Sequence, residues 1–238
     1  MREARWNLWT GDWHLDTGEC ERCAANAFAV GALARARENV LRKYGLLDGI
    51  YAGMTFDSYV PDPKHPKQAV AKQVAWELVE DWRGGLWHRG LILAGTDVGI
   101  GKTHLAIAAA REGVQLYTPR PGERILAVWD VPHFLSKIKD SYDNGGPGRL
   151  MQTATESGIV ILDDIGVEHV NRESWYQEIM YTIFNARWLG QKATIITTNM
   201  RSSQLRNHLG ERTWSRLLSL VGIPVHITGD DHRAMEHG

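Results

Sequence analysis

Twenty residues, LILAGTDVGIGKTHLAIAAA from Leu91 to Ala110, constrain this chain more than any other stretch. An apolar run leads into a glycine-bearing turn, and Lys102-Thr103 open an alanine-rich helical run. Strand, glycine loop, Lys-Thr and helix is the order in which a backbone cradles phosphate. Gly99 and Gly101 let the loop turn and bring N–H groups toward phosphate oxygens. Lys102 can reach the β- and γ-phosphates, Thr103 can ligand Mg²⁺, and the helix N-terminus favours an anion. The expected nucleotide contacts are therefore Gly99, Ile100, Gly101, Lys102, Thr103 and His104. The strict pattern G-x-x-x-x-G-K-[ST] is broken at one place, because Thr96 occupies the first glycine position. Gly95, one residue earlier, is expected to take over that turn.

The rest of the chain supplies the context such a loop needs. GLILAG, ERILAVWDV, GIVILDD, KATIITTN and IPVHITG read as short apolar strands. Helical runs alternate with them: KTHLAIAAAREG, PHFLSKIKDSYDN, ESWYQEIMYTIFNARWLG and RSSQLRNHLGERTWSRLLSL. Continuous apolar strands alternating with helices predict an α/β fold, a parallel sheet covered on both faces. Ligands of such sheets bind beyond the C-terminal strand ends. Upstream, residues 24–44 read as a helix and QAVAKQVAWELVEDW as another. Between them the Gly, Asp and Pro of GLLDGIYAGMTFDSYVPDPKHPK read as linker. A boundary near residue 50 follows, with an N-terminal segment 1–50 and a core domain 51–238. Trp6, Trp9 and Trp13 are spaced to share one face of a helix, although Gly11 and Asp12 weaken it.

Composition narrows the setting. With 238 residues and 43% hydrophobic content, one sizeable domain plus a short appendage is expected. No apolar run approaches the roughly 20 residues that span a bilayer, and the N-terminus has no apolar signal core. A soluble, cytoplasmic protein without a membrane partner is the expectation. A net charge of −1 argues against coating nucleic acid by bulk charge, while leaving room for a local basic surface.

GIVILDDIGVE ends an apolar strand in Asp163-Asp164. Two acids at a buried strand end call for a nearby cation, and the phosphate loop supplies the reason. Asp163 is expected to hold Mg²⁺ with Thr103, and Asp164 to orient or deprotonate an attacking water. Asn199, ending KATIITTN, would reach the same edge and hold the water or the γ-phosphate.

GIGKTHLA, VILDDIGVE, IITTNM and LGERTWSRL stand in the order seen in helicase loaders of the DnaC/DnaI type, and the chain resembles that family over roughly residues 50–238. The resemblance implies a P-loop AAA+ ATPase core, with ATP and Mg²⁺ as cofactors. It implies delivery of a DnaB-type replicative helicase onto single-stranded DNA, with self-association through the ATPase interface. Carried over by position, Asp164 takes the catalytic acid's place, Asn199 the first sensor's, Arg216 the arginine finger's and Arg233 the second sensor's. IstB-type transposition helpers share the first three motifs and remain an alternative. So does an adaptor that binds nucleotide with little turnover, because Thr96 and Asp164 depart from the commonest pattern. Arg212 lies one helical turn from Arg216, and an ion pair with Glu211 or a nearby acid is expected for it.

Three surfaces remain. An extra helix in this family helps bind single-stranded DNA, and Lys137, Lys139 and Tyr142 offer two cations and a stacking ring. A plain solvated helix is the alternative. The N-terminal segment of the family grips the helicase, and the 24–44 helix could dock as an amphipathic ligand. Cys20 and Cys23 in C-x₂-C spacing with His14 nearby match part of a zinc-site pattern, but no fourth ligand is evident, and two reduced thiols rather than bound zinc are the expectation.

Overall fold

The computed structural model describes residues 4–7, 12–15, 21–166 and 173–231, with side chains from residue 29 onward except those of Asn144 and Glu173. Its contacts divide between Glu38 and Asn39, inside the first helix. The first unit contains strands β1 (Ala4–Asn7) and β2 (Asp12–Leu15), paired antiparallel. Trp6 lies opposite Trp13 in that register. This corrects the shared helix face expected for Trp6 and Trp13, since tryptophan favours extended backbone; Trp9 is outside the described residues. Helix α1 (Glu21–Lys43) begins in this unit and ends in the next.

The second unit starts earlier than the expected boundary near residue 50. The Arg111 guanidinium binds residues 46–52 into it, donating to the carbonyls of Leu46, Tyr51 (3.3 Å) and Ala52 (2.8 Å). Helix α2 (Pro66–Arg83) follows, opened by proline at its first turn. Then come β3 (Leu91–Ala94), α3 (Lys102–Leu116), β4 (Leu126–Asp130), α4 (Val131–Ser141), α5 (Gly148–Glu156) and β5 (Ile159–Ile165). The chain continues through α6 (Glu173–Leu189), β6 (Ala193–Thr198), α7 (Ser202–Leu209), α8 (Glu211–Val221) and β7 (Val225–His226).

The five strands β3 to β7 form a parallel sheet in the order β4-β5-β6-β3-β7. Strands β3 and β6 are buried at every position, which their unbroken apolar and threonine composition requires. One face carries Ile92, Val160, Leu162 and Ile196 against the apolar sides of α4 to α8. On the other face α3 presents the buried run Leu105 to Ala110 and packs against α2. Small side chains there let the helix approach the strands closely. Strand order sets the site: β3 lies beside β6, and β6 beside β5. The ends of these three strands therefore meet at one edge.

Candidate functional site

The loop after β3 turns left-handed at Gly99 (φ 69°) and Gly101 (φ 90°), immediately before α3. A Cβ on Gly101 would lie 2.3 Å from Cε2 of Tyr59, so glycine is required there by both conformation and space. Gly95 does not make this turn, contrary to expectation. It lets β3 pass close to the chain after β7, where a Cβ would sit 2.4 Å from the Ile227 carbonyl oxygen. Thr96 is exposed and outside the left-handed region, so nothing there demands glycine.

Lys102 is only 6% exposed, and its Nζ donates to the carbonyls of Gly95 (3.0 Å) and Asp97 (2.7 Å). The ammonium is thus held folded against its own loop. Thr103 Oγ1 donates to both carboxylate oxygens of Asp163, at 3.0 and 3.1 Å. From β6, the Thr197 hydroxyl donates to Asp163 Oδ1 at 2.6 Å and accepts from the Asp164 N–H at 2.9 Å. Burial holds the Asp163 carboxyl above its ordinary range, with the like charges of Asp164 and Asp130 adding to it and the two threonine hydroxyls opposing. Asp130 is the partner of Asp163 in the β4–β5 register and caps α4 through the His133 N–H (2.9 Å).

Asp164 sits at φ 58°, where an aspartate is uncommon, and the β5–β6 register shifts between Leu162 and Ile165 around it. The bulge turns its side chain toward β6, where Asn199 Nδ2 donates to Asp164 Oδ1 at 3.0 Å. The expected residues Lys102, Thr103, Asp163, Asp164 and Asn199 therefore line one cleft of about 690 Å³. Ile100 is fully buried and presents its carbonyl to the Tyr59 hydroxyl at 3.3 Å. His104 lines the same cleft, and its Nε2 lies 2.8 Å from the Thr55 carbonyl and 3.2 Å from Ser58 Oγ.

Those contacts expose a misreading of residues 45–67. The segment is not a free linker, because Tyr51, Met54, Ser58, Tyr59 and Val60 form a wall of the cleft. Lys72 on α2 fixes it by donating to the Tyr59 carbonyl at 2.8 Å, and Tyr59 packs edge-on against His104. Burial pushes the Tyr59 phenol up to about 12. Thr197 was likewise missed, although its place two residues before Asn199 on a buried strand was a usable signal.

Other candidates lie elsewhere. Arg216 does not line the cleft; its guanidinium stacks on Trp188, 4.1 Å from the ring centroid. Arg212 does not pair with Glu211 as expected. Arg206 takes that carboxylate in a two-pronged contact at 2.7 Å, while Arg212 stacks on Tyr181 at 4.0 Å. Lys139 lies over the Trp175 ring at 5.3 Å, and Trp175 Nε1 donates to the Tyr142 hydroxyl at 3.2 Å. Lys137 is exposed on the same helix. Arg233, Cys20 and the side chains of His14 and Cys23 lie outside the described residues. Among the described residues, the group close enough to share an ion is instead Asp62, His65 and Asp230. No helix among them is long and apolar enough to cross a membrane.

The chain is similar to known ATP-binding proteins. The family model described as IstB-like ATP binding protein matches residues 76–220. A curated relative from Sinorhizobium fredii (strain NBRC 101917 / NGR234), designated an insertion-sequence ATP-binding protein, is 27% identical over 135 residues. That match covers 56% of this chain and 51% of the relative, so the chain spans about half the length of the protein it matches. Among solved structures, the DnaC helicase loader superposes with TM-score 0.61 at 26% identity, covering 74% of this chain and 97% of that one. DnaA from Aquifex aeolicus, solved with AMPPCP bound, superposes with TM-score 0.59 at 22% identity, over 74% of this chain and 50% of that one. At that identity the second likeness shows the fold alone.

Proposed function

This chain belongs to the family of IstB-like ATP-binding proteins, and from that premise we propose that it is an AAA+ ATPase that loads a DnaB-type replicative helicase onto single-stranded DNA. The convergence of Lys102, Thr103, Asp163, Asp164 and Asn199 on one cleft carries the reading. The site fits ATP with Mg²⁺. A threonine hydroxyl and a buried carboxylate 3.0 Å apart are the hard oxygen donors that such an ion takes. Thr103 and Asp163 would hold it, and when bound it neutralises charge on the phosphates. Lys102 would exchange its two carbonyl acceptors for phosphate oxygens. The Asp164 carboxylate, oriented by Asn199, would accept the proton of the attacking water. Arg216, outside its own cleft, would complete the site of a second copy and so tie turnover to assembly.

The loader role is supported by the DnaC match, which covers nearly all of that chain. The Lys139–Trp175–Tyr142 cluster offers a cation and rings to a single strand. A second reading, an ATPase that assists DNA transposition, is favoured by the family description and the insertion-sequence relative. The deciding experiment mixes the protein with its host's replicative helicase, ATP and Mg²⁺, and measures the mass of the complex. A complex that is lost with Lys102→Ala supports the loader. ATP turnover without any helicase complex sinks it and directs the search to transposases.

Asp163 also makes a stability prediction. A carboxyl whose pKa is raised by folding stabilises the folded chain below the ordinary carboxylate range. That contribution is lost as pH rises through the raised value. Above that value the ionised side chain opposes folding, so Asp163→Asn is expected to be at least as stable as the native chain at pH 8 without Mg²⁺. The same variant is expected to hydrolyse no ATP. Thermal melts across pH and a phosphate-release assay check the two halves.

A further inference from the structure

Helices α6 and α8 carry two arginine–ring pairs side by side on one surface. Arg212 lies over Tyr181 and donates to its hydroxyl at 2.9 Å, while Arg216 lies over Trp188. Among the described residues neither guanidinium takes part in an ion pair, although Arg206 on the preceding helix is matched to Glu211. The difference is chemical. A carboxylate partner cancels the charge of an arginine and occupies its N–H donors. A ring fixes the guanidinium plane, leaves the charge whole and leaves N–H edges available.

The surface is also unlike an ordinary solvated face. Trp188 is 39% exposed and Leu189 beside it 66% exposed. Both lie in the last turn of α6, and α6 runs back from the end of β5 to the start of β6. The stack is thus at the sheet edge opposite the phosphate loop, too far round to serve its own cleft. The chemistry it matches is the other edge of the same fold, where Asp163 and Asp164 and any bound phosphates concentrate negative charge.

We propose that Trp188 is a positioning residue for Arg216, and Tyr181 for Arg212, holding the uncompensated guanidiniums on a face that meets the nucleotide cleft of a second copy of this chain. The proposal rests on Arg216 acting in trans. The rings act before the copies meet: they limit where the guanidinium can point, so less ordering remains to be done on assembly.

The test is turnover with mixed subunits. Trp188→Ala is expected to lower kcat about two- to fivefold, the range an exposed cation–ring contact supports, with KM and the affinity for a fluorescent ATP analogue unchanged. Trp188→Phe should recover most of the loss. Adding Lys102→Ala subunits, inactive themselves but with Arg216 and Trp188 intact, should restore turnover per Trp188→Ala subunit. Native kcat in Trp188→Ala, or a loss that Lys102→Ala subunits do not restore, overturns the positioning role. Arg216→Ala separates this from the underlying reading. If that variant turns over normally, the trans arginine itself is wrong; if it is inactive while Trp188→Ala is normal, only the positioning role fails.

Discussion

Arg216→Ala is expected to cut ATP turnover by roughly 10³-fold or more, the scale on which arginine fingers act, while ATP binding stays near native. The reason is the division of labour between the two edges of the sheet. Every expected phosphate and metal contact comes from the chain's own loop and strand ends: Lys102, Thr103 and Asp163. These set affinity. Arg216 stacks on Trp188 at the far end of α6 and does not line its own cleft, so on the proposed reading its charge would reach a phosphate across a subunit contact. Removing it takes away an interaction made in the transition state and little made in the ground state, which lowers kcat without raising KM. A steady-state assay, paired with titration of a fluorescent nucleotide, measures both numbers. A rise in KM at constant kcat would mean that the arginine serves nucleotide binding and not the transition state.

The second large effect concerns folding. Arg187 is fully buried in α6, and its guanidinium donates to Thr194 Oγ1 (2.8 Å) and to the carbonyls of Ala154, Thr155, Ser157, Gly158 and Ala193. Burial lowers its pKa to about 9, so it remains charged at neutral pH, where those acceptors hold it. One side chain thereby ties the end of α5, the start of β5 and the start of β6. Arg187→Met keeps the length of the apolar stem and strands the carbonyls. Loss of such a buried network costs about 3–5 kcal/mol, out of a total stability of about 5–15 kcal/mol. A drop in Tm of about 6–20 °C follows for a chain of this size. Arg187→Lys is expected to recover little, because a single ammonium cannot satisfy acceptors arrayed around a planar fork. Thermal melts of both variants decide it; a lysine variant of native stability would show that charge, not the fork, is what matters.

The strands were legible because each is an unbroken apolar run flanked by polar turns, and parity along β5 and β6 predicts which residues emerge at the edge. Lys102, Thr103, Asp163, Asp164 and Asn199 were legible for the same reason: charge or amide at the end of a buried strand or the start of a helix needs a purpose. Arg187 was not, since its partners are main-chain carbonyls and leave no mark on residue identity. The wall at 51–60 read as linker because Gly, Asp and Pro describe local backbone, whereas Tyr59 matters through a contact with Gly101 far along the chain. Helix α5 went unread: glycines precede it, and it buries only Thr153 and Ala154. Arg212 was given the nearest acid, but Arg206 holds Glu211 with two donors, which leaves Arg212 to Tyr181.

The family match begins at residue 76, yet the segment fastened over the phosphate loop lies at 51–60 and the chain closing its other side at 225–231. Motor and casing are therefore written in different stretches of the chain. The motor parts, Lys102, Thr103 and Asp163, are locked to one another and leave little room for change. The casing meets the loop through the Tyr59 hydroxyl on the Ile100 carbonyl and meets α3 through Thr55 and Ser58 on His104, while the apolar side chains of Met54 and Val60 line the cleft without a hydrogen bond to the loop. The wall over the phosphate loop can in this way change at several positions while Lys102, Thr103 and Asp163 keep their hydrogen bonds.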